Sequence, residues 1–176
     1  VEKGLVQVYT GHGKGKTTAA AGLALRAAGR GLKVAFIQFM KSDESGEVIY
    51  IENNIPEITF RRFNDQKKFP WHMNNEELGI LKADTLRGID FAGKLMAAGE
   101  ADVIILDEIM AACGRGFISY GEILQMLRSR HDGVEVVMTG RDAPAEIIAA
   151  ADLVTEMKNV KHPLEKGIAA RTGIER

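Results

Sequence analysis

The sequence predicts an α/β protein, one domain over residues 1–176, built on a mostly parallel sheet of about six strands with helices on both faces. Three observations carry that prediction. Apolar runs recur along the chain and alternate with helical patterns. The first run leads through a glycine-rich loop into an Ala/Leu-rich helix. A later apolar run, Val103-Ile104-Ile105-Leu106, closes on Asp107-Glu108. Strands that are apolar throughout, rather than at alternate positions, are those buried on both faces.

In order, residues 5–9 read as the first strand, and a helix begins at Ala19 and ends near Gly29 and Gly31. Residues 33–39 form a second strand and 57–63 a third, more exposed one. A long helix fills 76–99, a doubly buried strand 102–108 and a helix 120–128. Residues 135–139 are the next strand, 145–151 a short helix and 153–157 the last strand. The stretches 40–56 and 64–75 carry no clear periodicity and read as long loops. In open parallel sheets ligands sit at the carboxyl ends of the strands, where such loops emerge.

The loop itself is Thr10-Gly11-His12-Gly13-Lys14-Gly15-Lys16-Thr17-Thr18. It is a phosphate-binding loop, or P-loop, one residue shorter than the G-x-x-x-x-G-K-[ST] pattern, since position 10 is Thr and the first glycine is Gly11. The mechanism survives the shift. Glycines let backbone N–H groups converge on a polyphosphate, Lys16 supplies a point charge, and the Thr17 hydroxyl suits Mg²⁺. The loop from Gly11 to Thr18 is therefore the expected nucleotide site, with Lys16 and Thr17 its catalytic members. The carboxylates of Asp107 and Glu108 are the expected metal anchor opposite Thr17, either one acting directly or through water. Mg²⁺ is the expected ion, with Mn²⁺ an alternative.

Composition narrows the partners. A net charge of −1 offers no polyanion-binding surface, so neither nucleic acid nor an acidic membrane is an expected partner. The lone Cys113 cannot pair internally and rules out a cysteine-rich zinc ribbon; it reads as a small buried hydrophobe. No apolar run reaches membrane-spanning length and no signal peptide is visible, which makes the cytoplasm the expected location.

Further segments give the chain a family resemblance. These are Gln38-Phe39-Met40-Lys41 followed by Gly46-Glu47, then Phe69-Pro70-Trp71, Leu106-Asp107-Glu108-Ile109, Thr139-Gly140-Arg141, residues 151–157, Val160-Lys161-His162-Pro163 and the glycine-containing tail. With the short loop, and in this order, the chain resembles the ATP:corrinoid adenosyltransferases of the cobalamin pathway, in their P-loop branch. The resemblance implies transfer of the 5′-deoxyadenosyl group of ATP to the Co(I) centre of a corrinoid, with release of tripolyphosphate. It further implies that ATP lies in the reverse sense along the loop, so that C5′ of the ribose rather than the γ-phosphate faces the acceptor. Phe69 and Trp71 would then face the corrin and displace its lower axial ligand, with Lys41 and Glu47 bordering that site. His72 is a rival that could ligate cobalt. An external reductant, in the form of a reduced flavoprotein, and a homodimeric assembly are the expected partners.

Blander readings stand beside these. Phe69 and Trp71 could simply pack a satellite cluster under a loop. Arg141 suits a phosphate contact or a structural salt bridge equally. Lys161 and His162 could only fix how the tail crosses the sheet, and His12 sits at an uninformative place in the loop. A small-molecule kinase would share the loop and the Asp-Glu strand but should add an arginine-rich lid. An ATPase or nucleotide switch would release phosphate. Tripolyphosphate, ADP, or ADP with phosphate as product separates the three.

Overall fold

The computed structural model describes residues 2–41, 45–64, 68 and 70–174. Six strands form one sheet: β1 (Val6–Thr10), β2 (Val34–Gln38), β3 (Ile58–Arg62), β4 (Val103–Asp107), β5 (Glu135–Thr139) and β6 (Leu153–Glu156). Their order across the sheet is β3-β2-β4-β5-β1-β6, and every neighbouring pair is parallel. The helices are α1 (Lys16–Ala28), α2 (Gly46–Asn54), α3 (Asn75–Ala98), α4 (Ile109–Gly114), α5 (Tyr120–Arg128) and α6 (Ala145–Ala150).

Alternate residues of the strands feed two cores. Val103 and Ile105 of β4 pack with Phe36 of β2, Phe60 of β3, the alanines Ala20, Ala21, Ala24 and Ala27 of α1, and Val48 and Ile51 of α2. Ile104 and Leu106 face the opposite way, onto Met96 of α3, Ile109 of α4, Ile123 of α5 and Ile147 of α6. The period of two within each strand thus assigns helices to both faces, as predicted. Small side chains on α1 let it lie close to the sheet over β4 and β5. That proximity brings the phosphate loop near the end of β4.

Local signals fix the helix ends. Asn74 accepts the Glu77 N–H at 2.9 Å and the Glu77 carboxylate accepts the Asn74 N–H at 2.8 Å, a reciprocal cap that starts α3. Ser119 and Glu122 repeat the arrangement at α5.

Three departures from the sequence reading exceed a one-residue shift at the end of a strand or α-helix. Helix α1 begins at Lys16 rather than Ala19, because the last residues of the loop already form its first turn. The stretch read as a loop from 40 to 56 contains α2, whose Val48 and Ile51 are the buried i, i+3 pair. The third departure is α4, which follows β4 after a single residue. That residue is Glu108, whose left-handed backbone (φ 62°) turns the chain sharply.

Candidate active site

Among the described residues, most of the predicted site residues gather at the carboxyl edge of the sheet. The loop from His12 to Thr18, Lys41 and Glu47, Trp71, Glu108, Arg141 and the C-terminal tail line one cavity of about 1040 Å³. That is the upper end of the range for small-molecule sites. Among the described residues three non-glycine residues hold left-handed backbones, Met40 (φ 60°), Glu108 (φ 62°) and Asp142 (φ 55°), and each lies just beyond a strand end at this edge. Clustered backbone strain of this kind is characteristic of functional sites.

The phosphate loop is held from behind by the segment leaving β6. The Gly13 N–H donates to the Met157 carbonyl at 2.7 Å. A Cβ at Gly11 (φ 96°) would lie 2.5 Å from that oxygen, and one at Gly13 would lie 2.7 Å from it. These glycines therefore serve the loop's own packing as well as any ligand, and the Gly13 N–H is already taken up. Gly15 caps α1 with φ 119°, leaving the first-turn N–H groups of the helix facing the cavity. Lys16 is buried and its ammonium donates to the Gly11 and Gly13 carbonyls at 2.7 and 2.9 Å. Burial lowers its pKa below that of an ordinary lysine, with the charge of Glu108 acting in the opposite sense.

The end of β4 is the hub of the site. Asp107 is wholly buried, and its Oδ1 accepts hydrogen bonds from the hydroxyls of Thr17 (2.9 Å) and Thr139 (2.7 Å). Its Oδ2 accepts from the Gln38 amide (2.9 Å) and the Lys41 ammonium (3.1 Å). Strand register explains part of this, since Gln38 of β2 stands opposite Asp107 of β4. Gln38 is held in turn by the Arg62 guanidinium, which donates to its Oε1 at 3.1 and 3.3 Å. Thr139, at the end of β5, also accepts the Glu108 N–H at 2.9 Å. Glu108 faces the cavity, and burial, reinforced by the charge of Asp107, raises its pKa above the usual carboxylate value.

Whether a divalent cation suits this hub is answered by Lys41. Its ammonium also donates to the Thr17 hydroxyl oxygen, at 2.8 Å, so one positive charge already spans Thr17 and Asp107. Hard oxygen donors arranged around a cation are what Mg²⁺ or Mn²⁺ requires. Among the described residues no group of three or more His, Cys, Asp or Glu side chains gathers to hold a metal, here or elsewhere, so the oxygens at this hub are those of Thr17, Asp107 and the neighbouring Glu108.

The remaining predicted residues fall as follows. Lys14 is drawn toward the tail, donating to the Ile174 carbonyl at 2.9 Å. The His12 ring pairs with Asp142 at 3.0 Å, and both side chains are exposed. Thr18 and Glu47 line the cavity. The Arg141 side chain also reaches the cavity and contributes its charge to the surroundings of Lys16 and Glu108. Trp71 is 67% exposed on a 3-10 turn over Pro70–His72 and lines the same cavity. Phe69 lies outside the described residues, and His72 stands beside Trp71 but does not line the cavity. His162 accepts the Leu164 N–H at 3.2 Å and caps a short turn of the tail. Burial pushes the Cys113 thiol up to about 11, which makes it inert near neutrality. Sequence reasoning gave no role to Thr139, Gln38 or Arg62. A polar Gln38 closing an otherwise apolar strand was the available signal.

A short phosphate loop, a buried Asp that accepts from the loop threonine, and an all-parallel sheet define a P-loop nucleotide-binding protein. Similarity to known proteins carries the assignment further. The family model for ATP:corrinoid adenosyltransferase BtuR/CobO/CobP matches residues 2–176, and the chain belongs to that family. It is 34% identical to a corrinoid adenosyltransferase of Pseudomonas aeruginosa over 175 residues, covering 99% of this chain and 84% of the relative. The corrinoid adenosyltransferase of Escherichia coli is also 34% identical, with 99% and 86% covered. Among solved structures, flagellar accessory protein FlaH from Methanocaldococcus jannaschii superposes with a TM-score of 0.58 at 14% identity, covering 89% of this chain and 72% of that one. That likeness concerns the fold alone. No helix among the described residues is long and apolar enough to cross a membrane.

Proposed function

We infer that this protein, as an ATP:corrinoid adenosyltransferase, moves the 5′-deoxyadenosyl group of ATP onto the Co(I) centre of a corrinoid and releases tripolyphosphate. The observation that carries this reading is that the phosphate loop and Trp71 line one and the same cavity. Triphosphate and corrin would then meet in one chamber, with the ribose carbon between them.

Co(I) is itself the nucleophile. Its electron pair forms the Co–C5′ bond as the C5′–O bond breaks, and the electrons leave with tripolyphosphate. No general base is needed, so this chain's residues have to hold the reactants in line and stabilise the charge growing on the leaving group. In this reading Lys16 gives up its contacts to the loop carbonyls and meets the triphosphate, together with the first-turn N–H groups of α1. Arg141, which lines the same cavity, adds a second cation. Thr17 with Asp107 or Glu108 would hold Mg²⁺, which when bound neutralises part of the triphosphate charge; Mn²⁺ fits the same donors. Thr139, Gln38 and Arg62 fix the Asp107 carboxylate. Trp71 presents apolar surface to the corrin, and Phe69 is proposed to share that role.

Electrons for reducing Co(II) have to come from outside, from a reduced flavoprotein, since the chain carries no flavin motif and one inert thiol. A homodimer and a cytoplasmic location complete the proposal. The test is incubation with ATP, Mg²⁺ and chemically reduced corrinoid. A visible spectrum moving to that of the alkylated corrinoid, with stoichiometric tripolyphosphate, supports transfer. ADP or free phosphate would mark a kinase or an ATPase instead.

A further inference from the structure

We propose that Lys41 is a built-in counter-cation of the metal site, holding the place of the divalent ion until polyphosphate arrives. This rests on the assignment of Thr17 and Asp107 to the metal, made above.

The geometry is specific. The ammonium lies 2.8 Å from the Thr17 hydroxyl oxygen and 3.1 Å from Asp107 Oδ2, so it spans the two oxygen-bearing groups a divalent ion would use. The backbone is set for this. Met40, just before, holds a left-handed conformation at φ 60°, and the Asn64 amide donates to the Lys41 carbonyl at 3.4 Å. Strain tolerated in a β2 exit that carries the ammonium to this point has to be repaid by what the ammonium does there. The partners differ in burial: the Lys41 side chain is 31% exposed while that of Asp107 is fully enclosed. Lys41 can therefore withdraw into the cavity, whereas the carboxylate stays.

Charge then dictates the order of events. Asp107 and Glu108 face Lys41, with Lys16 and Arg141 close by. A divalent ion entering alone would meet a unit charge of the same sign at contact distance, which disfavours it strongly. A polyphosphate entering with the metal reverses the balance. It brings several negative charges and gives the displaced ammonium new acceptors within side-chain reach. Lys41 is thus a positioning residue that ties metal entry to nucleotide entry and keeps the site from filling with metal alone.

The test uses the nucleotide-free full chain and Mn²⁺, followed by the electron paramagnetic resonance of the free ion. Lys41→Met should bind Mn²⁺ about 10-fold more tightly than the unsubstituted protein, because a competing charge is gone while the oxygens remain. Lys41→Arg, which keeps the charge, should stay as weak as the parent. Adding inorganic tripolyphosphate should tighten Mn²⁺ binding strongly in the parent and much less in Lys41→Met. Melting temperatures give a second readout, with Mg²⁺ alone raising the Tm of Lys41→Met more than that of the parent. Equal Mn²⁺ affinity in parent and Lys41→Met, or weaker binding in the variant, overturns the proposal, as does tightening by Lys41→Arg. If the tight Mn²⁺ binding of Lys41→Met survives Asp107→Asn, the metal is held elsewhere and the proposal also fails. None of these measurements involves corrinoid or turnover, so failure of adenosyl transfer would be seen separately, in the product assay.

Discussion

At the scale of single residues, the site depends on two charges held in unfavourable surroundings. Lys16 is buried against two carbonyl oxygens, with the charges of Glu108 and Asp107 nearby, and in the proposed function its ammonium would gain a direct anionic contact when triphosphate binds. An interaction that strengthens as negative charge develops acts on the rate, not only on binding. Lys16→Ala should accordingly lower adenosylation on the order of 10²-fold or more, read as tripolyphosphate release, while circular dichroism and Tm stay near the parent values. Glu108 is the second case. Burial and the charge of Asp107 raise its pKa, so the folded protein binds a proton there more readily than the unfolded chain does. Stability from this group is therefore gained on acidification and lost as pH rises from the ordinary glutamate value through the raised one. Glu108→Gln, which is neutral throughout, should melt above the parent at about pH 8 and lose that advantage below about pH 4, near the ordinary glutamate pKa. An unchanged difference between the two proteins at both pH values would mean the carboxylate carries no such penalty.

At the scale of elements, the phosphate loop and the chain leaving β6 behave as one unit. Gly13 has no room for a side chain beside Met157, so Gly13→Ala must push the two segments apart. The expected cost is about 1–3 kcal/mol, visible as a fall of several degrees in Tm, with ATP binding weakened in parallel. Retained Tm with lost ATP binding would show that the glycine serves the ligand alone. The central strands β2, β4 and β5 were legible in the sequence because doubly buried strands are written as unbroken apolar runs, and β1, β3 and β6 from shorter runs rich in β-branched and aromatic residues; α3 and α5 were legible from period and caps. Helix α2 was not, since its apolar pair Val48 and Ile51 is short and its β-branched residues argue against helix. Helix α4 is six residues long and begins straight after a left-handed Glu108, a conformation that sequence does not announce. The loop, Asp107 and Glu108 were equally readable as chemistry. The contacts made by Gln38 and Thr139 with Asp107 were not, because they depend on strand order, which places β2 and β5 on either side of β4. Arg62 is further removed still, reaching Asp107 only through Gln38.

At the scale of the whole molecule, the fold brings two unlike surfaces to one cavity. The sheet edge supplies N–H groups, cations and carboxylates, and the turn at residues 70–72 supplies an exposed aromatic ring. An indole has no lone pair suited to bind cobalt, so in the proposed function Trp71 would press on the corrin and displace its axial ligand without replacing it. Loss of that ligand makes Co(II) easier to reduce, whereas Co(I) already formed needs no such help before attacking C5′. Trp71→Ala should therefore lower activity from Co(II) with a protein reductant about 10-fold or more, the usual size of a lost aromatic anchor, and lower activity from chemically prepared Co(I) much less. The two rates, measured on the same preparation with saturating Mg²⁺ and ATP, make the comparison internal. Equal losses would reduce Trp71 to a wall of the pocket, and no loss in either assay would leave it as loop packing. Trp71 is 67% exposed and belongs to neither hydrophobic core, so its removal leaves the packing of both cores in place. A fall in the Co(II) assay alone would thus report on the corrin face and not on the stability of the protein.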